Sequence, residues 1–255
     1  MERRAFVSLI WSFMVLGRFK QTIRQWFGRG QPTIAEGWDR YARRHERDGK
    51  LGDEWNEPAA IGIDVPADEL VAYLDRTVFG PFFGTCEVLL EIGPGGGRFT
   101  TVLLPRCRKL LAADTSANML SLLKSRFGGD ARLTCLHLDG RGLRGIADAS
   151  VDAAFAYGVF VHLQHWDIYH YLTELRRVLK PGGKALIQHA NTFSELGWKR
   201  FQKDVPGSLN RHKLPGTFTL MTPEIMAEFV RRAGLALVGC RTDVVRRDAI
   251  TLIQA

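Results

Sequence analysis

Apolar and polar positions along this chain follow two periods, and the alternation between them predicts the fold. Residues 86–92 (CEVLLEI) form a nearly continuous apolar run, as a parallel strand buried on both faces does. Comparable runs follow at 109–114 (KLLAAD), 133–138 (LTCLHL), 151–156 (VDAAFA) and 184–190 (KALIQHA). Between them the period lengthens to that of a helix. Met119, Leu120 and Leu123 share one face behind Ser116 as a cap, and Ile168, Leu172, Leu175 and Leu179 share another. Lys180-Pro181-Gly182-Gly183 stops the second of these, because proline cannot continue a helix and glycine turns the chain. Thr222-Pro223 opens a further helix that Gly234 closes, and 235–243 and 249–254 read as a final pair of strands. The pattern predicts an α/β, Rossmann-like fold. Its seven-stranded sheet is mostly parallel, with helices on both faces and an antiparallel C-terminal hairpin.

The chain upstream of residue 85 is patterned differently. An amphipathic segment follows Gly37 (WDRYARRH), and another follows Pro66, with Leu70, Val71, Leu74 and Val78 at helical spacing. Residues 48–65 between them are rich in Gly, Asp and Pro and predict a loop. The organisation is thus a basic extension (1–30), a helical cap (31–84) and the α/β domain (85–255), with an insertion after the fifth strand at 191–221.

Charge changes the picture mainly at the N-terminus. The net charge is +8, and residues 1–30 hold Arg3, Arg4, Arg18, Lys20, Arg24 and Arg29 against Glu2 alone. The apolar run 5–17 is short of the roughly 20 residues that span a bilayer. No small-x-small cleavage site follows it. From Leu16 onward, Leu16, Phe19, Ile23, Trp26 and Phe27 share a face opposite Arg18, Gln21 and Gln25. This suits a helix lying in an anionic membrane surface, with the α/β domain in the cytoplasm; packing on protein is the alternative. The four cysteines form no C-x-x-C pair, so a reduced intracellular protein without a metal site is expected. Oligomeric state leaves no mark on the sequence.

The chemistry concentrates at strand ends. Gly93-Pro94-Gly95-Gly96-Gly97-Arg98 follows the first strand and opens a helix, where backbone can approach a ligand closely. A dinucleotide fingerprint needs Gly or Ala at 98, which is Arg98. Asp114 ends the second strand, where a Rossmann-type unit places an acid on ribose hydroxyls. Asp139-Gly140 ends the third and Tyr157-Gly158 the fourth.

The ordered runs VLLEIGPGGGRFT, AADTSANML, HLDG and ELRRVLKPGGKALI resemble the successive motifs of class I S-adenosylmethionine-dependent methyltransferases. The resemblance covers roughly residues 85–190 and 220–255. It implies S-adenosyl-L-methionine as cofactor, with Gly93 and Gly95 under its methionine portion and Glu91 positioning its amino group. Asp114 would accept the ribose hydroxyls, Thr115 and Met119 would line the adenosine, and Asp139 and Gly140 would meet the adenine. Tyr157 joins this cofactor-binding set, while Gly97 serves strand–helix packing. His162, after the fourth strand, is the candidate base for a hydroxyl acceptor.

The implied activity is methyl transfer to oxygen or nitrogen of a small-molecule, lipid or saccharide acceptor. Phe193, Trp198, Phe201 and Phe218 alternate with Lys199, Arg200, Lys203, Arg211 and Lys213 in the insertion, which suits an acidic acceptor. The alternatives are an RNA methyltransferase and a non-catalytic cofactor-binding partner protein. Nucleic acid is not the expected partner: Ala156-Tyr157-Gly158-Val159 stands where base methyltransferases carry N/D-P-P-Y, and no RNA-binding module is visible.

Overall fold

The computed structural model describes residues 34–47, 58–209 and 218–255. The extension 1–30 with its expected membrane helix, most of the expected loop 48–65, and Arg211 and Lys213 of the insertion lie outside the described residues. Seven strands form one sheet: β1 (Cys86–Ile92), β2 (Cys107–Asp114), β3 (Leu133–His137), β4 (Val151–Ala156), β5 (Leu179–Ala190), β6 (Ala236–Arg241) and β7 (Asp248–Gln254). Their order is β3-β2-β1-β4-β5-β7-β6. The first five run parallel, and β7 lies antiparallel between β5 and β6, so the predicted hairpin is present. The strand order reverses between β1 and β4. In open α/β sheets that reversal opens a crevice outside the carboxyl ends of the strands, where ligands bind.

Each face of the sheet carries its own core, because successive residues of a strand point to opposite sides. On one face Ala154 and Ala156 pack with Ile168, Leu172 and Leu175 of α6 (His165–Val178) and with Met226 and Val230 of α8 (Pro223–Arg232). On the other, Ala153 and Phe155 pack with Leu70, Leu74, Val78, Phe79, Phe83 and Phe99. Those phenylalanines meet mostly edge to face, a favoured arrangement for aromatic pairs.

Several boundaries differ from expectation. The first helix, α1 (Ile34–Arg47), starts before Gly37, which is buried inside it. The helix after Pro66 is not uniform: a 3-10 turn leads into α2 (Leu70–Leu74), a π turn (Asp75–Phe79) and α3 (Gly80–Phe83). Arg106 grips Asp75 at the start of the π turn through two hydrogen bonds of 3.0 and 2.6 Å. Leu179 is not on the α6 face; it begins β5 by pairing with Val151. Within the expected loop, Pro58–Ile61 forms a 3-10 turn whose Ile61 enters the second core. After β1 comes the short α4 (Thr100–Leu103), after β2 comes α5 (Ala117–Phe127), and the insertion begins with α7 (Glu195–Leu209).

Candidate functional site

The glycine turn is fixed by both its neighbours and its backbone angles. Gly93 N–H donates to the Ala113 carbonyl at 2.8 Å, which ties the end of β1 to β2. Gly93, Gly95 and Gly97 have φ of 66°, 54° and 84°, in the region that side chains avoid. Their surroundings separate their roles. A Cβ on Gly97 would meet Phe127 at 2.4 Å and Leu123 at 2.7 Å, so this glycine lets α5 approach, as expected. A Cβ on Gly93 would strike Val159 Cγ2 at 2.3 Å, and one on Gly95 would meet nothing within 4 Å. The backbone at Gly95 therefore faces open space that a ligand can use.

Two carboxylates flank this turn. Glu91 is 2% exposed and accepts a 2.7 Å hydrogen bond from the Thr100 hydroxyl. Burial pushes its pKa up to about 7, against the lowering by Thr100. Asp114 accepts the Ser116 N–H at 2.8 Å and also backbone N–H groups of Gly95 and Thr115. Burial raises its pKa to about 6 despite those donors, with Asp39 adding to the rise. Both carboxyls therefore sit where a cation or hydroxyl donors would favour their ionised form.

Asp39 comes from α1. It accepts from the Ser116 hydroxyl and from Asn118 N–H, while Ser116 caps α5 by accepting Met119 N–H at 3.1 Å. The cap helix α1 is thereby clasped to the N-terminus of α5, beside Asp114. Met119 is 5% exposed and Thr115 is half-buried, with its carbonyl 3.1 Å from His137 Nε2. Asp139 accepts Arg141 N–H at 2.8 Å, a strand-end turn, and Gly140 follows with φ 76°. Glu91, Gly93, Gly95 and Asp114 are thus brought together at the carboxyl ends of β1 and β2, with Asp139 and Gly140 along the same edge.

Tyr157 departs from the cofactor-lining expectation in the direction of its side chain. Its ring is packed 4.6 Å from Phe99 and stacked at 6.4 Å on Phe155, within the second core. Its hydroxyl is buried without a hydrogen-bond partner among the described residues, and burial drives its pKa well up.

His162 sits between two rings, 5.3 Å from Trp38 of α1 and 5.3 Å from Phe218 of the insertion. Cap helix, β4 loop and insertion therefore meet at this histidine. Arg200 and Arg247 lie 4.4 and 4.8 Å from the centre of the Phe218 ring, as cation–π contacts. Arg247 grips the buried Asp248 at 2.9 and 2.7 Å; Asp248 accepts from Gln188 Nε2 at 2.6 Å, and Gln188 Oε1 accepts Gly158 N–H at 2.7 Å. This relay ties the backbone after β4 to the aromatic roof. Sequence reasoning missed it, although Gln188 is a polar residue following the apolar run Ala185–Ile187 and was the available signal.

Three further histidines are engaged elsewhere. His165 meets the Leu220 carbonyl and His170 the Arg141 carbonyl. His189 is fully buried beside Thr251, with burial pulling its pKa down to about 4. Among the described residues no group of His, Cys, Asp and Glu could hold a metal ion.

Residues 90–187 match the model of a methyltransferase domain family. The chain is 31% identical over 161 residues to a biotin biosynthesis bifunctional protein of Cellvibrio japonicus, covering 63% of this chain and 29% of that protein. It is 30% identical over 152 residues to a demethylmenaquinone methyltransferase of Clavibacter sepedonicus, covering 58% and 60%. The matched stretch thus spans less than two thirds of these curated relatives. Among solved structures, a complex of the Haloferax volcanii Trm112 methyltransferase activator with a methyltransferase gives a TM-score of 0.60 at 17% identity, covering 86% of this chain and 97% of that one. A methyltransferase from Aquifex aeolicus gives 0.56 at 18% identity, covering 78% and 98%. Residues 90–187 thus match a methyltransferase domain, and the sheet order and glycine turn around them are similar to those of class I S-adenosylmethionine-dependent methyltransferases.

Proposed function

We propose that the protein transfers a methyl group from S-adenosylmethionine to oxygen or nitrogen of a small-molecule acceptor. The observation that carries this reading is the convergence at one sheet edge of the open backbone at Gly95, two carboxyls with raised pKa and an aromatic roof. The open space above Gly95 suits a bound cofactor tail, and Glu91 would meet its cationic group. Asp114 would hold the ribose hydroxyls. When bound, the cofactor supplies a methyl group already activated by its sulfonium. The chain's own task is then alignment and exclusion of water. Trp38 and Phe218, pressed on His162 from two sides, suit that task. His162 is also the candidate to take a proton from a hydroxyl acceptor. No step in this scheme calls on a metal.

The test is calorimetric titration with S-adenosylmethionine, followed by label transfer from the methyl donor into fractionated lysate. Micromolar-range donor binding with label in a small-molecule, lipid or saccharide pool supports the reading. Label in RNA supports the alternative acceptor, and donor binding without any transfer supports a non-catalytic partner protein. Attachment to anionic membrane through residues 1–30 rests on their sequence. Vesicle flotation of full-length and truncated protein tests it. Among the described residues no helix is long and apolar enough to cross a membrane.

A further inference from the structure

A cavity of about 700 Å³ opens beside the end of β5, lined by Asn191, Phe193, Glu195, Glu224, Thr242 and Arg246 among others. None of Glu91, Gly93, Gly95, Asp114 or Asp139 lines it. Its position follows from strand direction. β1, β4 and β5 are parallel neighbours, so Gly93, Gly158 and Asn191 leave the sheet at the same edge. Strands lie roughly 4.8 Å apart, which puts Asn191 roughly 10 Å across the sheet from the glycine turn.

The floor of the cavity carries a side-chain amide. Asn191 is only 6% exposed; its Oδ1 accepts Phe193 N–H at 3.2 Å, and its Nδ2 has no acceptor among the described residues. Its N–H groups face the cavity, where they can donate to an oxygen of a ligand. The floor is also rigid. The Asn191 carbonyl accepts Ser194 N–H at 3.1 Å and lies 3.0 Å from Ser194 Oγ, which in turn accepts Gly197 N–H at 3.0 Å.

The rim supplies the complementary groups. Phe193 is 77% exposed, an aromatic face with nothing to cover it. Glu195 and Glu224 are exposed carboxylates, and Thr222 keeps Glu224 below the usual carboxylate range. Arg246 is turned toward the Gly62 carbonyl, to which its Nε donates at 2.6 Å. An aromatic face takes the C–H face of a sugar ring, carboxylates accept its hydroxyls, and an amide N–H donates to its oxygens. The lining thus offers two carboxylates, one guanidinium, one amide and one aromatic face, a set suited to a polyol.

We propose that this cavity binds a saccharide or similar polyol, neutral or amino-substituted, as the methyl acceptor. The acceptor role rests on the methyltransferase reading; the binding chemistry does not. It also replaces the acidic acceptor that the basic insertion suggested. Arg200 is spent on Asp204 and the Phe218 ring, while Lys199 and Lys203 are exposed away from the cavity lining.

The experiment is saturation-transfer NMR on the full-length protein with D-glucose, D-mannose, D-galactose, D-glucosamine, glucose 6-phosphate and phenol in separate samples. At least one neutral or amino sugar should bind. Its signal should fall at least fivefold in Asn191→Leu and in Phe193→Ala, the latter an exposed position whose loss leaves the fold intact. Binding of none of the four sugars, preference for the phosphate or phenol, or sugar binding that ignores both substitutions overturns the proposal. A parallel titration with S-adenosylmethionine separates the two ideas. Sugar binding without donor binding keeps the saccharide site and removes the methyltransferase reading; donor binding without sugar binding does the reverse.

Discussion

Replacing Glu91 with glutamine tests the electrostatics of the cofactor edge directly. The carboxyl is 2% exposed and its pKa rises from 4.5 to about 7 because burial penalises its charge. Below pH 4.5 it is protonated in both the folded and unfolded chain, and nothing is lost. As pH rises toward 7 the unfolded chain ionises freely while the folded one resists, so the wild type loses stability across that window. Each pKa unit is worth about 1.4 kcal/mol, so the full loss is about 3 kcal/mol above neutrality. Glutamine does not ionise, and its Oε1 can keep the 2.7 Å bond from Thr100. Its new N–H2 group carries a fixed cost of about 1–3 kcal/mol if it stays unpaired. That cost is the same at every pH, so the pH dependence isolates the charge. Urea unfolding of both proteins at pH 5 and pH 8 should show the variant gaining about 2–3 kcal/mol relative to wild type between the two. Asp114 is raised mainly by its own burial, which is common to both proteins, and its charge adds to the rise at Glu91. Parallel stability curves would refute the burial argument. The same variant should bind S-adenosylmethionine at least tenfold more weakly, since a charged acceptor makes the stronger hydrogen bond.

Asp114→Ala should weaken donor binding about a hundredfold, from two charge-assisted hydrogen bonds of about 1.5 kcal/mol or more each; an unchanged Kd by calorimetry removes the ribose assignment. In the wild type, donor affinity should fall as pH drops through about 7 and then about 6, as Glu91 and Asp114 take up protons; a flat affinity from pH 5 to 8 shows that neither carboxyl meets the donor. Gly197→Ala places a Cβ 1.9 Å from the Asn191 carbonyl oxygen, so α7 must shift, at about 1–3 kcal/mol; a thermal midpoint equal to wild type contradicts this packing. His162→Ala should lower turnover of a hydroxyl acceptor while leaving donor affinity unchanged, and turnover within about threefold of wild type excludes it as the base.

The centre of the sheet was legible in the sequence because β1 and β4 are largely buried on both faces, which leaves short continuous apolar runs. The glycine turn and Asp114 were legible too, since a left-handed backbone at Gly95 and an acid at a strand end each leave a local mark. Where local pattern fits two outcomes, tertiary structure decides. Leu179 suits either the apolar face of α6 or the start of β5, and pairing with Val151 settles it. Tyr157 follows a strand and could face either side; the void among Phe79, Phe99 and Phe155 takes its ring. The roof of Trp38, His162 and Phe218, the relay from Gly158 through Gln188 and Asp248 to Arg247, and the cavity over Asn191 join residues far apart in the chain. No periodicity records such contacts, because they exist only once parallel strands bring their carboxyl ends to one edge and the loops leaving that edge are packed against each other.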